Sequence, residues 1–152
     1  IFKDRGVPEK PTVYLCAQDR GPNGSLNGSE RLLMLVNAPA DGDRQTWSED
    51  DVMRTRDNAL AVLARCGLNL SFKDNDCVST TPTDWHGRFP GSGGSLYGGA
   101  SHGIWSSFRR PGAKSKLKGL YLSGGSVHPG PGVPMATLSG RLAARAVIHD
   151  IA

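Results

Sequence analysis

The strongest structural signal in the chain is GLYLSGGSVHPGPGVPMATLSG, residues Gly119–Gly140. Its pattern predicts a strand over 119–123, a glycine–proline turn over 124–132 and a helix over 133–151. Pro134 suits the first turn of that helix. Unpaired N–H groups in such a turn, together with the helix dipole, favour a bound anion. A tight turn without a ligand is the alternative.

Glycine is enriched around this stretch. The protein has 152 residues and 20 glycines, about 13% against a usual ~7%, and fourteen of them fall within 87–140. Such density indicates either disorder or a backbone that closely approaches another group. A hydrophobic content of 38% argues against disorder of the whole chain. The glycines show no period of three, which excludes collagen. No apolar run approaches the ~20 residues of a membrane span.

The first half of the chain has the pattern of ordinary globular structure. Apolar, β-branched runs at 12–17 and 31–36 flank a turn-rich loop and predict an antiparallel pair of strands. A helix is expected over about 48–66, because apolar residues recur at helical spacing and Ser48 with Asp51 resembles a capping box. These elements predict an α+β fold.

Two weaker signals lie between this helix and the glycine-rich half. Residues 70–72 and 76–80 favour a short strand region around a turn. Residues 80–84 read TTPTD and predict the start of a short helix, with Pro82 near its first position.

The reactive side chains form no recognisable catalytic or metal motif. The three cysteines are widely spaced and lack a C-x-x-C pair, as in the reduced thiols of a cytoplasmic protein. The histidines show no ligand spacing, so we expect no metal site. His128 is interpreted as a turn residue or pocket wall. No Gly-x-Ser-x-Gly elbow is present, which disfavours a serine nucleophile.

Gly119–Gly140 closely resembles the C-terminal signature of the bacterial phytoene desaturase-type flavoproteins. Pro11–Arg20, Thr80–Asp84, and Arg88–Gly98 with Ala100–Gly103 are similar to the same family. Within this family, the motifs most resemble those of the hydroxyneurosporene (methoxyneurosporene) desaturase branch. The resemblance covers nearly the whole chain in order, but the G-x-G-x-x-G unit with which the family opens is absent.

The resemblance therefore implies the C-terminal third of such an enzyme. Residues 1–118 would belong to the substrate-binding domain, and residues 119–152 would form the strand–turn–helix that completes the FAD-binding domain. The fold expected is α+β, as part of an α/β FAD-linked oxidoreductase fold. A piece without the N-terminal dinucleotide-binding unit is expected to be inactive alone.

The resemblance also assigns a cofactor, FAD, to the glycine-rich turn. Residues 124–126 would lie near its pyrophosphate and ribityl chain, and residues 133–136 would face the isoalloxazine ring. A helix N-terminus stabilises the negative charge of a reduced flavin, which agrees with this assignment. The residues assigned to cofactor binding are Gly124, Gly125, Ser126, Val133, Pro134, Met135 and Ala136.

The activity implied is FAD-dependent desaturation of an acyclic, hydroxylated or methoxylated carotenoid in carotenoid biosynthesis. Because the cofactor performs the redox chemistry, no catalytic residue is assigned. Trp85, Phe89 and Tyr97 are expected either to line a substrate channel or to pack in a core. The alternatives are a related flavoprotein acting on polyenes (an isomerase, saturase or ketolase) and a non-catalytic module that binds anions or membranes.

A basic segment suggests a further contact. A lipid-soluble substrate implies delivery from a membrane, and clustered cations attract anionic head groups. A solvated basic loop is the alternative; nucleic acid also fits basic clusters, but is not expected as a partner. We expect a cytoplasmic protein, peripheral at the inner membrane. The residues of this segment are Arg109, Arg110, Lys114, Lys116 and Lys118.

Overall fold

The structure, a computed structural model, describes residues 6–20, 24, 28–99 and 110–152. Arg109 and residues 100–103, both named above, lie outside the described residues. The chain divides into two compact units, residues 1–94 and residues 95–152. The described residues form a two-stranded sheet and three α-helices, so the α+β prediction is confirmed at this level.

The two predicted strands form an antiparallel pair in the first unit. Strand β1 spans Val13–Ala17 and strand β2 spans Leu32–Val36. Their register sets Val13 opposite Val36 and Ala17 opposite Leu32. Beyond the strand ends, Asp19 Oδ1 accepts a hydrogen bond from Arg31 Nη2 at 2.6 Å. This ion pair joins the two segments that lead out of the sheet.

Helix α1, Glu49–Arg65, agrees with the prediction within one residue at each end. It begins with a full capping box: Asp51 N donates to Ser48 Oγ at 3.2 Å, and Ser48 N donates to Asp51 Oδ2 at 3.0 Å. Ala59 and Leu63 are buried on one face. The helix packs against β1.

The strand region predicted over 70–72 and 76–80 is wrong. The structure has a short 3₁₀ helix at Asp74–Asp76, and residues 71–80 are all exposed. A strand needs a neighbour to satisfy its backbone groups, and no described segment pairs with this one. The short helix predicted at 80–84 is confirmed as α2, Pro82–Arg88, which is capped by Thr81 and Asp84.

Glycines of the 91–94 segment allow close backbone approach within the first unit. A Cβ atom at Gly94 would collide with the carbonyl of Pro82, and one at Gly42 would collide with the same carbonyl. Gly42 N donates to Gly93 O at 2.9 Å, and Gly93 N donates to His86 Nδ1 at 3.2 Å. Side chains at these glycines would prevent the contacts.

In the second unit, the strand predicted over 119–123 is also wrong. In the part of this unit that the structure describes, the segment forms only an isolated antiparallel bridge between Lys114 and Tyr121, supported by a hydrogen bond from Leu122 N to Ala113 O at 2.9 Å. Gly119, in the left-handed region at φ +82°, turns the chain back directly before it. Paired residues are therefore too few for a strand.

Helix α3, Val133–Ile151, has the bounds that the sequence predicts. Ser139 and Ala143, one helical turn apart, are its buried residues. Among the described residues, no helix has both the length and the apolar composition needed to cross a membrane.

Candidate functional site

The predicted glycine turn, residues 124–132, depends on backbone conformations that favour glycine. Gly124, Gly130 and Gly132 have φ values of +119°, +138° and +100°, a region that other residues rarely adopt. A Cβ atom at Gly124 would meet nothing within 4 Å. Val127 is buried, and its N–H closes the turn on Gly124 O at 3.1 Å. The turn is therefore held by the buried Val127, and it has open space beside Gly124.

Ser139 of α3 fixes the start of the turn. Its side chain is fully buried, and its Oγ accepts a hydrogen bond from Gly124 N at 3.2 Å. In the sequence, Ser139 is only one of several small residues of this helix. The signal that identifies it is a hydroxyl one helical turn before Ala143, on the face that packs inward.

Several N–H groups of the turn and of the first turn of α3 have no hydrogen-bond partner among the described residues. These belong to Gly125, Ser126, Val133 and Met135. Gly132, the N-cap of α3, provides no side-chain cap. Gly125 lies close to Pro131, whose Cα would be 3.6 Å from a Cβ at that position.

Unpaired donors at a helix N-terminus, reinforced by the helix dipole, form an arrangement that binds anions. These four donors belong to residues that the resemblance assigned to FAD, and Gly124, next in sequence to Gly125, has open space at its Cβ position. The seven residues assigned to cofactor binding thus lie in one turn and the adjoining helix start.

Three of those seven residues contribute no free donor within the described structure. Gly124 N is bound to Ser139, Pro134 has no N–H, and Ala136 N donates to Gly132 O at 2.8 Å. Apolar side chains are nonetheless available at the helix start, because Val133 is 82% exposed and Met135 is 43% exposed. They offer an apolar surface beside the donors.

His128 is a turn residue in the structure. Its N–H donates to Pro111 O at 2.8 Å, and the residue is exposed. The backbone contact joins the turn to the segment that carries the basic residues. Within the described residues, no group of histidine, cysteine, aspartate or glutamate could hold a metal ion.

Two members of the basic segment bind other parts of the protein. Lys114 Nζ lies 2.5 Å from Asp150 Oδ1, and Tyr121 OH donates to Asp150 Oδ2 at 2.8 Å. The pKa of Asp150 is lowered, chiefly by Lys114 and then by Tyr121. Arg110 donates to backbone carbonyls of the same unit. Lys116 and Lys118 are exposed.

The three aromatic residues considered for a substrate channel lie in different settings. The rings of Trp85 and Phe89 stack with centroids 6.0 Å apart, and the guanidinium of Arg88 lies 5.4 Å from the Trp85 ring. Phe89 and Tyr97 are each more than half exposed. Neither of the latter two is a core residue of the described structure.

Comparison with known proteins finds relatives that match nearly the whole of this chain. Hydroxyneurosporene desaturase of Rubrivivax gelatinosus is 49% identical over 99% of this chain and 29% of its own length. Hydroxyneurosporene desaturase of Rhodobacter capsulatus is 45% identical over 95% of this chain and 28% of its own length. The 1-hydroxycarotenoid 3,4-desaturase of a Flavobacterium is 33% identical over 95% of this chain and 30% of its own length.

The chain thus spans less than a third of the length of the curated relatives that it matches. The pattern of the flavin containing amine oxidoreductases matches residues 2–148, nearly the whole sequence. The chain belongs to the family of flavin containing amine oxidoreductases.

Proposed function

We propose that the complete protein is an FAD-dependent desaturase of an acyclic, hydroxylated or methoxylated carotenoid. The observation that carries the proposal is the group of unpartnered N–H donors at Gly125, Ser126, Val133 and Met135. It occurs in a chain whose relatives are named hydroxyneurosporene and hydroxycarotenoid desaturases.

In this proposal, residues 119–152 complete the FAD-binding domain and residues 1–118 belong to the substrate-binding domain. The N–H groups of Gly125 and Ser126 donate to the phosphate oxygens. Those of Val133 and Met135, at the positive end of the α3 dipole, stabilise negative charge on the ring. The exposed Val133 and Met135 side chains cover the ring and exclude water. Pro134 and Ala136 hold the backbone in helical geometry.

The reaction converts a saturated carbon–carbon bond into a double bond conjugated with the polyene. FAD, when bound, accepts the two hydrogens and their electrons. The residues of this chain bind and orient the cofactor and the substrate. None of them is assigned a proton-transfer step. Phe89 and Tyr97, both exposed, offer apolar rings for a hydrocarbon substrate.

The membrane contact proposed for the basic segment now depends chiefly on Lys116 and Lys118. Both are exposed, whereas Lys114 is paired with Asp150. We propose that they attract anionic lipid head groups where a lipophilic substrate is taken up, on the cytoplasmic face of the inner membrane.

The activity is tested with the complete gene product, FAD and a hydroxylated acyclic carotenoid. Each added double bond lengthens the conjugated system, so we expect absorbance bands at longer wavelength and a product that has lost two hydrogens. A product of unchanged mass would indicate an isomerase, and one that has gained oxygen would indicate a ketolase. Either result would replace the desaturase proposal.

A further inference from the structure

Arg110 connects two glycine-rich segments of the second unit. Its Nη1 donates to Tyr97 O at 3.1 Å and to Gly125 O at 3.0 Å. Its Nη2 donates to Tyr97 O at 3.1 Å and to Gly99 O at 3.3 Å. One guanidinium thus holds carbonyls of the 95–99 loop and of the glycine turn.

The same two segments also touch beside this guanidinium. A Cβ atom at Gly98 would lie 2.9 Å from Ser126 Cβ and Oγ, so only glycine fits there. Gly130 also approaches Arg110, whose Nε would lie 3.6 Å from a Cβ at that position. The 95–99 loop and the turn therefore form one assembly with the arginine inside it.

We propose that Arg110 is a positioning residue for the glycine turn. It holds Gly125 against the 95–99 loop and so fixes the direction of the N–H groups of Gly125 and Ser126. This inference rests on the proposed function. It also gives the arginine a role other than the lipid contact expected from the sequence.

Arginine suits this role for a geometric reason. Its planar guanidinium presents several donors in a fixed fork, and a charged donor binds a carbonyl more strongly than a neutral one. A lysine ammonium is a compact point charge on a flexible stem. It retains the charge but donates from a single nitrogen, so it cannot reproduce the contacts that Nη1 and Nη2 make with separate carbonyls.

The first experiment measures amide hydrogen exchange in the FAD-free complete protein. The hydrogen-bonded amides of the turn are Gly124, Val127 and His128. In Arg110→Lys we expect these three to exchange about tenfold faster, because each depends on the anchored turn. The interior amides of α3 should exchange at the wild-type rate. Acceleration throughout α3 would indicate a general structural role and would overturn the proposal.

The second experiment measures FAD affinity by titration. We expect Arg110→Ala to raise the dissociation constant by about tenfold, and Arg110→Lys to raise it by less. Guanidinium ion at millimolar concentration should restore affinity in Arg110→Ala and leave the wild type unchanged. Arg141→Ala is the matched control, because Arg141 is an exposed arginine of the same unit.

The outcomes separate this inference from the proposed function. A wild-type protein that binds no FAD contradicts both. If the wild type binds FAD and Arg110→Lys shows wild-type affinity and exchange, only the inference is overturned. Because Arg110→Lys preserves charge and bulk, it decides the matter even if Arg110→Ala does not fold.

Discussion

Single residues of the second unit show why the glycines are needed. Gly98 has φ +73° and faces Ser126 so closely that a Cβ would lie 2.9 Å from its side chain. Gly98→Ala must therefore displace the glycine turn or strain the loop. We expect the free energy of unfolding to fall by about 2 kcal/mol in urea denaturation. Gly99→Ala, where nothing lies within 4 Å, is the control and should change stability by less than about 0.5 kcal/mol.

Ser139 supports the turn through one part-buried hydrogen bond, which its hydroxyl accepts from Gly124 N. Ser139→Ala removes this acceptor, and the loss of a typical hydrogen bond costs about 0.5–1.5 kcal/mol. We expect a loss of stability of that size in urea denaturation, and weaker FAD binding. Ser123→Ala removes a hydroxyl from an exposed residue close by. Equal effects of the two substitutions would show that the Ser139 hydroxyl has no special role.

For single residues, the sequence predicts some contacts and gives no signal for others. The glycine turn and its donors could be predicted, because glycine and proline restrict the backbone locally. The role of Arg110 could not be, since its partners are carbonyls of Tyr97, Gly99 and Gly125, which any residue carries. A basic run in a sequence indicates charge, but not which member turns inward.

Among the elements, α1 has a start that depends on pH. The pKa of Asp51 is lowered from 3.8, chiefly by its hydrogen bonds with Ser48. A carboxyl whose pKa falls on folding stabilises the folded state above its unfolded value, and this contribution is lost as pH falls through the folded value. The capping box should therefore weaken in acid below pH 3.8.

Asp51→Asn tests this expectation. The variant should be less stable than the wild type at pH 7, and the difference should shrink as pH falls through the folded pKa. Thermal unfolding midpoints at several pH values measure it. Asp50→Asn, in the same helical turn but outside the box, is the control. A difference between Asp51→Asn and wild type that does not vary with pH would contradict the expectation.

The elements that sequence predicted correctly are those with local signals. Strands β1 and β2, helix α1 with its cap, and helix α3 combine clear periodicity with clear ends. The prediction of a strand at 119–123 was wrong because strand formation depends on a partner elsewhere in the chain. Among the described residues, the apolar run Gly119–Ser123 finds only the short 113–115 segment for pairing.

For the whole molecule, the membrane proposal makes a prediction about charge. Replacing Lys116 and Lys118 by glutamine should weaken binding to phosphatidylglycerol vesicles by about thirtyfold at low salt, because each basic residue near an anionic surface contributes about 1 kcal/mol. Sedimentation with vesicles measures the change. Arg141→Gln with Arg145→Gln removes the same charge from exposed positions of α3. If both double variants lose the same vesicle affinity, net charge alone explains the binding and the proposal of a specific contact is wrong.

The sequence predicts strand β2 from its apolar run, but it does not predict how exposed that run is. Strand β2 reads LLMLV, an uninterrupted apolar run typical of a strand buried on both faces. In the structure Leu33 and Leu35 are 43% and 46% exposed. The exposure of these side chains does not follow from local patterns, because burial depends on long-range packing.

The central claim is that the glycine turn and the start of α3 bind a flavin. Amide hydrogen exchange of the complete protein, with and without FAD, tests it most directly. We predict that FAD slows exchange at Gly125, Ser126, Val133 and Met135, whose N–H groups have no partner in the described structure. Exchange over 68–73 should be unaffected. Saturating FAD that leaves those four amides unprotected would contradict the account.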